Sequence, residues 1–222
     1  MPASTTNATR SRLLDVAIGH FGRFGIDGAS TRAIAKDADT PMSSITYHFG
    51  GKEGLYLATA SHIAERMGRL LAPAIAKAAT ACQPGCTAEQ AREALHVVYR
   101  HAAGVLVSAE SAPLARFIVR EQANPTEAFN RIYVELMAPM LSRLAFLLAV
   151  VSRGALGEQE ARIHAVTLMG QLLVFRVARA TALRAGGWED IGARELEVIR
   201  EILADHLDGI LDRLGKRKGS YT

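Results

Sequence analysis

Apolar residues recur every three or four positions along almost the whole of this 222-residue chain, and nowhere do β-branched and aromatic residues alternate over a strand length between turn signals. The expected fold class is therefore all-α. Leu13, Leu14, Ala17, Ile18, Phe21 and Phe24 form the first stripe, which predicts a helix over 6–24 ended by Gly25 as a left-handed cap. Ser30 is placed to cap a short helix that turns Ile34 and Ala35 inward and Arg32 and Lys36 outward. After a four-residue gap, a second short helix is expected over 41–48, with Thr40 as cap and Pro41 in its first turn, closed by Phe49-Gly50-Gly51. A fourth helix begins near Lys52, carries Leu55, Ile63, Met67 and Leu70, and should fade past Pro73.

The remainder reads the same way. Helices are expected over 87–108 and 113–122, then from Asn124-Pro125-Thr126-Glu127, where Asn124 is the expected cap, Pro125 fits the first turn and Glu127 can reach back. The two helices that follow, over 126–151 and 158–184, are apolar on more than one side. Leu136, Met140, Leu144 and Leu147, then Ile163, Val166, Leu172 and Val177, exceed what one core-facing stripe needs, so part of this surface should meet another subunit. A last amphipathic helix over 189–214 ends in the basic segment Lys216 to Lys218.

Composition narrows the class of function. Apolar residues at 49% suffice for a packed core, and charged residues at 22%, without long blocks of one sign, argue against a disordered chain. A net charge of +4 and a pI near 9.3 favour an anionic partner. Up to Tyr56, however, Arg10, Arg12, Arg23, Arg32, Lys36 and Lys52 face Asp15, Asp27, Asp37, Asp39 and Glu53, so any positive surface there must come from arrangement. Met1 to Thr9 shows no apolar signal segment, and the uninterrupted apolar run Leu144 to Val151 is far shorter than the roughly 20 residues of a spanning helix. These features predict a cytoplasmic protein with no membrane partner. Cys82 and Cys86 lack the further ligands a zinc site needs, so neither metal nor cofactor is expected. There is no Gly-rich phosphate loop, no His-Glu-x-x-His helix and no serine elbow, which argues against an enzyme.

The most informative block runs from Ala29 to Tyr56. Two short helices joined by a tight turn are what a helix-turn-helix requires, the first bracing the second in the major groove. Ala33, Ile34, Ala38 and Ile45 would form the inner face, while Met42, Ser43, Ser44, Thr46, Tyr47 and His48 would offer donors, acceptors and methyl surface to bases and phosphates. Arg32 and Thr40 join this DNA-facing set. Lys52, in the first turn of the next helix, would hold a phosphate.

From about Thr6 to Ala60 the chain resembles the DNA-binding domain of the TetR family. The resemblance rests on Phe21 and Gly25, on Ile34-Ala35 with Ala38, and on Ile45, Tyr47, His48, Phe49, Lys52, Glu53 and Leu55 in order. Three positions depart from the family pattern: Asp39 stands where glycine is usual, Thr46 where many members carry a phosphate-contacting aromatic, and Pro41 at the usual polar cap. The run Phe117 to Phe129, with Tyr47 to Tyr56, is similar to a subgroup of TetR-like regulators named for cephalosporin sensitivity.

This resemblance implies a DNA-binding domain of three short helices over 6–66 and a larger helical domain over 67–222 that binds ligand and dimerises. It further implies a homodimer on near-palindromic double-stranded operator DNA, repression, and release by a small-molecule effector. His96, Tyr99, Phe117, Arg120, Gln171 and Phe175 are the candidate effector contacts, with Arg120 and Glu121 either orienting the effector or forming a structural ion pair. The competing reading is a helical small-molecule-binding protein or enzyme whose N-terminal region does not bind DNA.

Overall fold

The computed structural model describes residues 3–81, 83 and 85–217; Met1, Cys82 and Lys218, named above, lie outside them. Among the described residues no strand forms. The helices are α1 Ala3–Gly28, α2 Thr31–Asp37, α3 Ser43–Phe49, α4 Lys52–Ala81, α5 Ala88–Val107, α6 Ala112–Ala123, α7 Glu127–Ile132, α8 Ala138–Val151, α9 Glu158–Val177, α10 Arg179–Gly186 and α11 Ala193–Gly215. A π-helical turn, Tyr133–Met137, joins α7 to α8.

The chain forms two compact units, one made of residues up to 68 together with 112–137, the other of 69–111 and everything from 138 onward. The division expected at 66/67 follows chain order; the compact units do not, because α6 packs on α1. Leu114, Ala115 and Phe117 supply the buried face of α6. The two helices run close at Gly22, where a Cβ would make ordinary contact, 3.5 Å, with the Phe117 nitrogen.

Phe21 of α1, Tyr56 of α4 and Phe117 of α6 form the aromatic centre of the first unit. Tyr56 meets Phe21 edge-on at 4.8 Å and Phe117 at 4.9 Å with a 37° tilt. Around them Leu13, Ile18, Ile34, Leu55 and Ile63 are fully buried, each such side chain contributing roughly 1.5–3 kcal/mol. α1 runs past the end expected at Gly25 because it resumes beyond a kink there, where a φ of 69° and ψ of −178° are ones only glycine adopts readily. A Cβ there would also lie 2.5 Å from the Arg120 guanidinium.

In the second unit α5 packs with α8, α9 and α11 around Leu95, Tyr99, Leu144, Leu148, Leu168 and Leu203. α4 runs through Pro73 into this unit, past the point where the sequence predicts it to fade. Leu71, Ala74 and Ala78 on its buried face outweigh the one hydrogen bond proline removes. The single helix expected over 158–184 breaks at Ala178 (φ −104°, ψ 34°), and α9 and α10 meet at 78°. The end of α9 is pinned there by Arg176, which donates to the carbonyls of Leu106 and Ser108 at 2.6 Å each and to Ser111 Oγ at 3.1 Å. Burial of that guanidinium, and then Arg179 nearby, hold its pKa below the usual arginine value.

By length and hydropathy Glu127–Val151, at a mean hydropathy of 1.8, qualifies as long enough to cross a membrane. Counting only uninterrupted apolar residues missed this, because scattered charges break the run without lowering its mean much. On α9, Ile163 (59% exposed), Val166, Val174 and Val177 (60%) stand in the open, as does Phe146 on α8.

Candidate nucleic-acid interface

Ser30 caps α2 as expected, its Oγ accepting from the Ala33 amide at 3.3 Å. The turn that follows is tight. Ala38 donates to Ile34, Asp39 to Lys36 and Thr40 to Ala35, all at 2.9–3.0 Å, and Asp39 adopts a left-handed φ of 49°, a conformation aspartate tolerates better than most residues. Thr40 does not cap α3. Its hydroxyl oxygen is buried without a hydrogen-bond partner, and α3 starts at Ser43 after a tight turn in which Pro41 and Met42 accept from Ser44 and Ile45.

α3 packs with α2, whose buried residues are Ile34 and Ala35, and is anchored by one buried residue of its own, Ile45. Everything else on it is open or half-open. Tyr47 is 80% exposed; Ser43, Thr46 and Met42 are exposed; Ser44 and His48 are half-buried, His48 meeting the Tyr47 ring edge-on at 4.9 Å. Arg32 is exposed on α2. The helix stops at Gly50, left-handed with φ 76°, and the chain enters α4 past Gly54, where a Cβ would sit 1.8 Å from the Phe49 carbonyl oxygen.

Three braces hold this pair of helices. Lys52 Nζ donates to the Asp27 carbonyl at 3.0 Å, tying the start of α4 to the last turn of α1 instead of standing free. His20 on α1 pairs with Asp37 at the end of α2 at 2.8 Å. The Arg10 guanidinium sits 5.5 Å from the centre of the Phe49 ring. Sequence reasoning passed over Arg10 and His20, because both lie a helix away from the block they support.

The candidate effector residues are divided by the fold. Phe117 is sealed in the core of the first unit, and Arg120, exposed on α6, lies against Gly25 of α1; neither joins the other four. Both sit on the helix that packs on α1, which their apolar neighbours could not reveal. In the second unit Tyr99 donates to the Leu168 carbonyl at 3.0 Å and to Gln171 Oε1 at 3.1 Å, and Phe175 is half-buried on the same helix as Gln171. His96 and Tyr99 line an open cavity of about 180 Å³ with Arg100, Arg200, Leu203 and Ala204. Tyr99 also walls a small apolar void among Leu71, Met140, Leu144, Met169 and Leu172. His96 is held by Asp208 at 2.9 Å; Arg92, bonded to the same carboxylate at 2.6 Å, and then His96 keep Asp208 below the usual carboxylate range. Among the described residues no three His, Cys, Asp or Glu side chains come together as a metal site would need.

Known proteins resemble this arrangement. Residues 13–59 match the profile described as bacterial regulatory proteins, tetR family, and residues 91–214 match the C-terminal domain of the HTH-type transcriptional dual regulator CecR. Over 219 residues the chain is 32% identical to the HTH-type transcriptional dual regulator CecR of Shigella flexneri, covering 97% of this chain and 98% of that one. A shorter match, 40% over 57 residues and 26% of each chain, is to the HTH-type transcriptional regulatory protein RaaS of Mycobacterium tuberculosis. Among solved structures, AibR in complex with isovaleryl coenzyme A and operator DNA superposes with a TM-score of 0.65 at 17% identity over 89% of this chain and 97% of that one. A TetR-like regulator from a Rhodococcus species gives 0.63 at 20% identity over 94% and 97%. At such identities these two establish a shared fold.

Proposed function

The chain belongs to the TetR family of DNA-binding transcriptional regulators, and from that membership we propose that it grips a near-palindromic operator as a homodimer and releases it when a small molecule occupies the second unit. The observation that carries the reading is the surface of α3: one buried isoleucine fixes it, and short polar side chains with Tyr47 face outward where base edges and phosphates would lie. Ser43, Ser44 and Thr46 offer hydroxyls, Met42 and the Thr46 methyl offer apolar contact, and Tyr47 and His48 reach farthest along the helix. Arg32 and Lys52 position the backbone. One donor of Lys52 is taken by Asp27, which leaves its ammonium two more for a phosphate.

Dimerisation is supported by α9. At 100° per residue Ile163, Val166, Gly170, Val174 and Val177 fall within an arc of about 80°, an uncovered apolar stripe with a glycine at its middle. A second copy of α8 and α9 would cover it as a four-helix interface, and Glu127–Val151 owes its high hydropathy to that role instead of to a bilayer. The AibR complex holds both an acyl-coenzyme A and operator DNA on this fold, which supports an amphipathic effector beside Tyr99, Gln171 and His96 here. Repression at a neighbouring promoter, in the cytoplasm, completes the proposal.

The test is binding to duplexes that the purified protein recovers from a random pool, followed across salt concentrations. Phosphate neutralisation releases counterions, so affinity should fall steeply, by about 0.9 in log K per contacted phosphate for each decade of salt. Recovery of no duplex, or a salt-independent signal, overturns the proposal.

A further inference from the structure

The chain crosses between its compact units three times: inside α4 at 68–69, ahead of α6 at 111–112, and at the end of the π turn at 137–138. Within the first unit, the three stretches that lead to these crossings are joined by one side chain. Glu121 of α6 is 2% exposed, and its two carboxylate oxygens are divided between the other two segments. Oε1 accepts from the Tyr56 hydroxyl of α4 at 2.5 Å. Oε2 accepts from the Thr126 amide at 3.1 Å, the Thr126 hydroxyl at 2.7 Å and the Phe129 amide at 3.0 Å, and so caps α7 from outside. α7 starts at Glu127 behind Thr126, whose own hydroxyl accepts from the Ala128 amide at 3.1 Å, and not behind Asn124.

All four partners are neutral donors, so the buried carboxyl oxygens are satisfied only while they stay in place. Displacing either segment leaves one carboxylate oxygen bare in the core. Tyr56 cannot respond by ionising, since burial and then the Glu121 hydrogen bond push its pKa up. Tyr56 lies one turn beyond Lys52, and through Lys52, Asp27 and the Phe49–Gly54 approach the seating of α4 fixes that of α3. We propose, resting on the effector-released reading above, that Glu121 is the positioning residue through which the three crossing segments set the grip of α3 on DNA.

The experiment compares the parent, Tyr56→Phe and Glu121→Gln on a duplex recovered by the parent from a random pool. It reads affinity, melting temperature and amide hydrogen exchange at Thr126 and Phe129 with and without DNA. In the parent, DNA should slow exchange at both amides. Tyr56→Phe keeps the ring and its packing but loses the bond, so affinity should drop roughly tenfold and the DNA-linked protection should vanish. Glu121→Gln can turn its amide N–H to the tyrosine oxygen and its carbonyl to α7, so it should fall between the two. A purely structural role would shift melting temperature alone. Tyr56→Phe binding within about twofold of the parent, with Thr126 and Phe129 still protected by DNA, overturns the proposal. Should Tyr56→Phe fail to fold, Glu121→Gln decides it in the same way, unchanged affinity and protection being the contrary result. A parent that recovers no duplex brings down the regulator reading and this proposal together; a parent that binds beside indifferent variants brings down this proposal alone.

Discussion

α3 and α9 are both open to solvent in the single chain, for opposite reasons. α3 shows Ser43, Thr46 and Tyr47 outward, groups that water satisfies, over a single buried anchor. α9 shows Ile163, Val166, Val174 and Val177, which water does not satisfy and which cost about 25 cal/mol for each Å² left uncovered. A surface of the first kind can be covered and uncovered repeatedly, as an operator that is bound and released demands. One of the second kind stays covered. On the proposed function this difference sets an order of events: the second copy would cover α9 before DNA is met, and DNA would come and go on α3.

The comparison breaks first at α9. Val166→Glu with Val177→Glu places charge in the apolar stripe, and sedimentation should show monomers whose operator affinity is lower by about a hundredfold or more, because two half-sites no longer act together. A variant that stays dimeric refutes the assignment of this face. On α3, Tyr47→Ala removes an exposed side chain. Operator affinity should weaken by about 1–3 kcal/mol while melting temperature holds, a contrast that gel shift and calorimetry read directly. Arg32→Ala should reduce the salt dependence of binding by about one unit of slope and leave sequence preference untouched. Smallest is Ser30→Ala, which deletes the α2 cap. It should cost roughly 1 kcal/mol of stability by denaturant titration, with any loss of affinity following from that.

The helix-turn-helix was legible because its signals are local: Ser30 at a cap, Ile34 and Ile45 at helical spacing, Asp39 at a left-handed turn and Gly50 at an end. The apolar excess of the long helices was legible for the same reason. What escaped depends on partners distant in sequence. Nothing near Ala178 marks a break; the pin is Arg176 reaching the end of α5. Nothing in Tyr133–Met137 marks a π turn. Thr40 reads as a cap by residue type, yet its hydroxyl points into protein and the backbone closes the turn unaided. Glu121 was seen beside Arg120 and weighed as an ion pair, whereas adjacent helical residues point different ways: Arg120 lies toward Gly25 and Glu121 toward Tyr56. The grouping of the candidate effector residues was the least legible, since nothing beside Phe117 in the sequence places it in the first unit, buried on α6, apart from Tyr99 and Gln171.

The assembly of the first unit from two stretches of sequence bears on how the protein is born. As the chain leaves the ribosome, residues up to 68 emerge with Phe21 and Tyr56 lacking the Phe117 wall that covers them, and with no acceptor for the Tyr56 hydroxyl. That wall arrives only with residues 112–137, so the DNA-reading end, although first to be synthesised, is not first to be finished. A gene truncated after α4 would therefore yield a sticky fragment instead of a miniature regulator.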